Sequence, residues 1–217
     1  MALKLYPYAL TSLANVKNRL SITNTGWDDF LTRLINRWTD YIERQCGNRQ
    51  FASRTGSSTL NTYTQEVYDG GDGAQGYLTL RQAPVVPGSV TLLQFRSGSP
   101  ADPVWTDFPT TNYELHRDGT DGTIRVYGGM PHGVNNMRVT YIAGYIIDWT
   151  NEGDTTKHNL PADLTSLCED LVIKNFKRRE SIGKKSEGAQ GTNTVYADIV
   201  EEEDQATMAN FKRYHFT

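Results

Sequence analysis

The hydrophobic period of this chain changes twice, and that change constrains the fold more than any other feature. Between Thr25 and Gly47, in "TGWDDFLTRLINRWTDYIERQCG", Phe30, Leu31, Leu34, Ile35, Trp38, Tyr41 and Ile42 recur at three- and four-residue steps. That spacing predicts a helix with a wide aromatic face. From about Phe51 to Ile147 the period falls to two, in short runs such as "YLTLRQAPVV", "SVTLLQF", "NYELHRD", "TIRVYGG" and "MRVTYIAGYII" separated by Gly, Pro, Asp and Asn. After the polar loop "WTNEGDTTKHN" the helical period returns with Leu164, Leu167, Cys168, Leu171, Val172 and Phe176.

Helix, strands, then helix predicts an α+β fold: a small helical bundle of N-terminal helices plus a C-terminal helix, with an inserted antiparallel β unit and an extended C-terminal arm. The expected bounds are a single domain over residues 1–182, helical at 10–47 and 160–182 with the β insertion at about 51–147. An arm at 183–217 ends in a short helix. Local signals agree with this division. Thr11 is placed to cap a first helix carrying Leu13, Val16 and Leu20, and Thr25 to cap the second, with Asp28 and Asp29 in its positive first turn. Gly47 suits the left-handed residue that ends a helix, and Pro161 the opening of the last long one. The Trp38 helix is expected to pack on that helix. In "YELHRDGTDGTIRVY", Asp118-Gly119 and Asp121-Gly122 can take the positive φ that a hairpin loop needs.

Charge and composition narrow the function. The 217 residues sum to −3 with a pI near 5.8, so no global basic footprint for nucleic acid exists and any DNA contact must be local or passing. No apolar run approaches the ~20 residues of a membrane span, and "MALKLYPYAL" has no signal-peptide core, so no membrane partner and cytoplasmic synthesis are expected. Cys46 and Cys168 fall on the apolar stripes of predicted helices, as buried thiols do.

Patterns that would carry chemistry fail on context. "GDGAQG" at Gly71–Gly76 matches a phosphate-binding glycine pattern, but "YLTLR" follows, a strand where a helix N-terminus is required. Asp69, Asp72, Asp118 and Asp121 lie in Gly-rich turns without the alternating ligands and terminal Glu of a calcium loop. His116, His132, His158 and His215 are scattered, without zinc spacing. No catalytic, metal or cofactor residues are assigned, and the expectation is a protein that is not an enzyme and needs no cofactor.

Two charged features remain. The last long helix runs into Lys174, Lys177, Arg178 and Arg179, which at ~100° per residue form a ring around its end, continued by Lys184 and Lys185. Such a ring complements the unpaired carbonyls of a helix C-terminus, and it also suits contact with an acidic surface, protein or phosphate. The arm ends in "EEEDQATMANFKRYHF". Its acids come first, and Glu201–Asp204 either line a channel or cap the last helix. Phe211, Lys212, Arg213, Tyr214 and Phe216 form an aromatic and basic end suited to anchoring on a partner. Such an arm is expected to order only on a partner.

Taken in order, "SLANVKNRLSI", "DDFLTRLINRWTDYIERQCGNRQF", "LTLRQAPV", "YELHRDGTDGTIRVY", "VTYIAGY" and "LPADLTSLCEDLVIKNFKRRE" resemble the head-tail connector, or head-completion adaptor, proteins of tailed bacteriophages, over roughly Leu10 to Arg179. The resemblance implies a virion protein at the head-tail interface, forming a homo-oligomeric and usually dodecameric ring beneath the portal protein. Such a ring extends the DNA channel, lets double-stranded DNA pass without sequence-specific binding, and docks a neck or tail protein, a stopper or tail terminator. It also implies that the C-terminal segment reaches the portal. A DNA-binding accessory protein of packaging or ejection, using Lys174 to Lys185, and a different neck or tail-completion ring protein are the alternatives.

Overall fold

The computed structural model describes residues 3–54, 60–70, 76–99, 102–179, 186–189, 192–195 and 199–212. It divides into two compact units, one drawn from Met1–Arg49 and Ile147–Arg213, the other from Gln50–Ile146. Those borders fall within a few residues of the two changes of hydrophobic period.

The helical unit contains α1 (Leu13–Leu20), α2 (Asp28–Gln45), α3 (Ala162–Lys177) and α4 (Glu202–Phe211). Ser12, not Thr11, caps α1: its hydroxyl accepts from the Asn15 N–H at 3.1 Å. Thr11 is fully buried, and its hydroxyl donates to Glu169 Oε1 on α3 at 2.9 Å. Thr25 is not the cap of α2 either. The N-cap residue is Trp27, without a side-chain bond, and Thr25 offers only its carbonyl to the Asp28 N–H at 3.1 Å. Asp28 and Asp29 do sit in the first turn, where Asp28 also takes the Lys17 ammonium at 2.6 Å. Gly47, at φ +84°, follows the C-cap Cys46 as expected. Pro161 is the residue just before the first turn of α3, its φ of −57° set by the ring.

The core of this unit is the apolar stripe of α2 laid on that of α3. Leu31, Ile35, Ile42 and Cys46 are wholly buried and Trp38 is 5% exposed, facing Leu164, Leu167, Cys168, Leu171 and Val172, which are also buried. Phe30 and Tyr41 are only half-buried, at the edges of the stripe. Near the start of α2, Trp27 and Phe30 meet Phe176 of α3 with ring centroids 5.4 and 6.1 Å away. Arg19 of α1 reaches Glu169 at 3.1 Å and Asp170 at 2.6 Å, fastening α1 across α3.

The other unit is built from β1 (Asn61–Tyr68), β2 (Tyr77–Thr79), β3 (Leu92–Ser99), β4 (Asp102–Asp107), β5 (Tyr113–Leu115), β6 (Thr123–Val126) and β7 (Met137–Ala143). They form two antiparallel sheets, a four-stranded one in the order β1-β7-β3-β4 and a three-stranded one in the order β2-β6-β5. Along β7 burial alternates strictly, with Met137, Val139, Tyr141 and Ala143 inward. These join Leu78, Leu80, Leu93, Ile124 and Val126 in one core shared by both sheets. Burial at its rim raises the Tyr68 and Tyr141 phenols well above their ordinary pKa, and both donate to Glu66, at 2.5 and 2.7 Å.

The predicted hairpin is present, pairing Tyr113 with Val126 and Leu115 with Ile124. Asp118, Gly119 and Gly122 take φ of +52°, +81° and +57° in its loop, as the turn chemistry requires, and Arg117 joins them at +47°. Only glycine serves at 119, where a Cβ would stand 2.2 Å from the Val85 carbonyl oxygen. β8 (Ser186–Ala189) and β9 (Thr192–Val195) form a short antiparallel hairpin in the C-terminal segment.

Candidate functional site

The four cations at the end of α3 do not share one role. Lys174 lies between Glu201 and Asp204 of α4, with its ammonium 3.0 and 2.9 Å from their carboxylates. Burial works to lower its pKa, but the hydrogen bonds to Asp204 and Glu201 outweigh it and hold the ammonium above its ordinary value. Arg179 spreads over the Phe176 and Trp27 rings, 4.5 and 4.9 Å from their centroids, and donates to the Phe176 carbonyl at 3.0 Å. Arg178 is half-buried, and Lys177 is exposed. Lys184 and Lys185 lie outside the described residues. Lys174 and Arg179 thus join parts of this chain to one another.

The acids of the C-terminal segment have the complementary role. Glu201 and Asp204 form a reciprocal capping box at the start of α4, in which the Asp204 carboxylate accepts the Glu201 N–H at 2.9 Å. Asp204 is 6% exposed, a burial that its cap bond and the Lys174 ammonium make tolerable. The run therefore caps the helix, while Glu202 and Glu203 remain exposed on its first turn.

The expectation that this segment orders only on a partner is corrected for α4, which packs on its own chain. Met208 is 4% exposed, and its carbonyl accepts from the Cys46 thiol at 3.5 Å. The Phe211 carbonyl accepts from Arg49 at 2.9 Å. An apolar contact at Met208, a charged one at Lys174 and a backbone one at Arg49 hold the helix at three points along its length. Of the predicted anchor residues, Phe211 is half-buried and Lys212 exposed, and Arg213, Tyr214 and Phe216 lie outside the described residues.

Burial pushes the Cys46 thiol up to about 11 and the Cys168 thiol up to about 12. Neither thiol should react with a disulfide reagent in the folded protein at about pH 8, and both should react in denaturant. Prompt labelling of Cys46 alone would show α4 leaving its seat.

Other predicted features take structural positions. His116 pairs with Asp121 inside the hairpin loop, and His158 accepts the Asp148 N–H at 3.2 Å, its ring tilted against that of Trp149 with centroids 4.6 Å apart. His215 and residues 71–75 of the glycine pattern lie outside the described residues, and β2 begins directly after Gly76. Among the described residues, no group of three His, Cys, Asp or Glu side chains could hold a metal, and no helix is long and apolar enough to cross a membrane.

Sequence reasoning missed the basic face of α2. Arg33, Arg37 and Arg44 are exposed there, and Lys4 lies beside them on the N-terminal segment. The signal was in "TRLINRWTDYIER", where the arginines occupy one face opposite the apolar stripe.

Residues 10–69, which take in α1, α2 and β1, match the family model of the phage gp6-like head-tail connector proteins. The connector resemblance is supported by that match, and with it a structural connector role among the head and tail components of a virion. No curated protein matches the chain.

Proposed function

We propose that this chain is a structural adaptor that forms a ring beneath the portal protein, extends the DNA channel and docks a neck or tail protein. The observation that carries the reading is the connector-family match over α1, α2 and β1. In this reading residues 1–182 act as one adaptor body without catalysis or cofactor, and residues 183–217 are the arm that reaches the portal. Within that arm α4 serves as a fixed base, and the segment Phe211, Lys212, Arg213, Tyr214 and Phe216 supplies the portal anchor. The net charge of −3 suits a conduit through which duplex DNA slides, since dense phosphate contacts would make passage slow and salt-sensitive.

The alternative of a DNA-binding patch at Lys174 to Lys185 loses ground, because Lys174 is paired with Glu201 and Asp204 and Arg179 lies on aromatic rings. The portal contact is tested by co-sedimentation of the full chain with the portal protein of the same phage. A form ending at Lys212 keeps α4 and removes Arg213, Tyr214 and Phe216 of the anchor. The full chain should bind and the shortened one should bind at least about tenfold more weakly, as loss of buried aromatic hot spots does. Equal binding by the two forms would remove the anchor from the reading.

A further inference from the structure

The exposed face of α2 carries a row of arginines. At ~100° per residue Arg33, Arg37, Asp40 and Arg44 fall within an arc of about 60°, opposite the buried stripe, and span about 16 Å of the helix axis. The N-terminal segment is fixed alongside by Asn36, itself buried, whose side chain donates to the Lys4 carbonyl at 3.1 Å and accepts the Tyr6 N–H at 3.0 Å. These groups line an open cleft of about 390 Å³ with four cations and one carboxylate. Among the described residues Lys4, Arg33 and Arg37 have no ion-pair partner.

The chain also carries a complement. Of the four acids at the start of α4, Glu201 and Asp204 are taken by the cap and by Lys174, whereas Glu202 and Glu203 are exposed on the same turn. α4 is held by Cys46 and Arg49, at and just beyond the end of α2, and by Lys174 on α3. Cys46 lies on the buried side of α2, about 210° around the helix from the arginine face, so the basic cleft and the acidic turn belong to different faces of the helical unit. A ring closed by rotation needs such an arrangement, because its heterologous contact joins two unlike surfaces of identical chains. Guanidinium forks suit carboxylates through paired, directional hydrogen bonds. A wall facing sliding DNA would not carry three exposed arginines in a row.

We propose that the cleft of Lys4, Arg33, Arg37 and Arg44 is one half of the contact between neighbouring copies of this chain, receiving Glu202 and Glu203 of the next copy. The proposal rests on the ring reading above. It is tested with the full chain and the portal protein by mass photometry, comparing wild type, Arg33→Glu/Arg37→Glu, Glu202→Arg/Glu203→Arg and the variant combining all four changes. Each double variant should melt like wild type but need about tenfold or more protein to assemble, since like charges then face each other, and the combined variant should recover assembly. Assembly that persists in both double variants overturns the proposal and leaves the ring reading standing, whereas wild-type chains that never assemble remove both. Intact assembly in Arg33→Glu/Arg37→Glu together with loss of a steeply salt-dependent affinity for duplex DNA would make the cleft a phosphate contact, and would also overturn it.

Discussion

Replacing Trp38 by alanine lowers the unfolding free energy of the helical unit by about 3 to 5 kcal/mol, the range for removing a buried aromatic side chain. Trp38 is 5% exposed at the centre of the α2 stripe, with the Tyr41 ring packed edge-on against it at 5.2 Å. The neighbours on α2 and α3 are held by helix geometry and cannot close fully over the space left behind. Urea denaturation followed by far-ultraviolet circular dichroism checks the value, and a loss below about 1 kcal/mol would mean that another face of α2 is buried.

Ending the chain at Asp198, which removes α4, lowers stability by about 2 kcal/mol or more, because Met208 alone is a buried apolar side chain. The deletion also strips Lys174 of both carboxylates and Arg49 of the Phe211 carbonyl. Met208→Ala separates the apolar part of the loss from the rest. An unchanged melting temperature in the truncated chain would show that α4 does not hold the helical unit together. The Lys174 pairing adds a pH signature. Its pKa is raised in the folded protein, so its contribution is fully present below the unfolded value, near pH 10.4, and is lost as pH rises through the folded value. Lys174→Met should therefore flatten the alkaline limb of the stability profile.

Periodicity made the long elements legible. The α2 and α3 stripes, the alternation of β7 and the positive φ at Asp118 and Gly119 all follow from residue spacing and turn chemistry. β1 and β4 were not legible, for physical reasons. β1, "NTYTQEVY", holds polar side chains at most positions and changes register between Tyr63 and Glu66, so no clean alternation exists to read. β4, "DPVWTD", is an edge strand, where Asp and Pro are tolerated because one side of the backbone has no neighbour to pair with. The caps misled by one or two residues, since Thr11 and Ser12 are both competent and only the tertiary bond from Thr11 to Glu169 decides between them.

The candidate sites were half legible. Sequence singled out the basic end of α3 and the acidic start of α4 as the charged features of the C-terminal half. It could not show that Lys174 meets Glu201 and Asp204, a contact across 27 and 30 residues. The arginines on α2 are passed over by a search for clustered lysine and arginine because one or two helix turns separate each from the next.

The central proposal is that this chain works as a ring on the portal. Electron microscopy of the full-length chain mixed with the portal protein of the same phage tests it most directly. The account predicts a closed ring of this chain stacked on the portal, coaxial with its channel. Portal particles without added density, with the chain bound instead to duplex DNA, would contradict it.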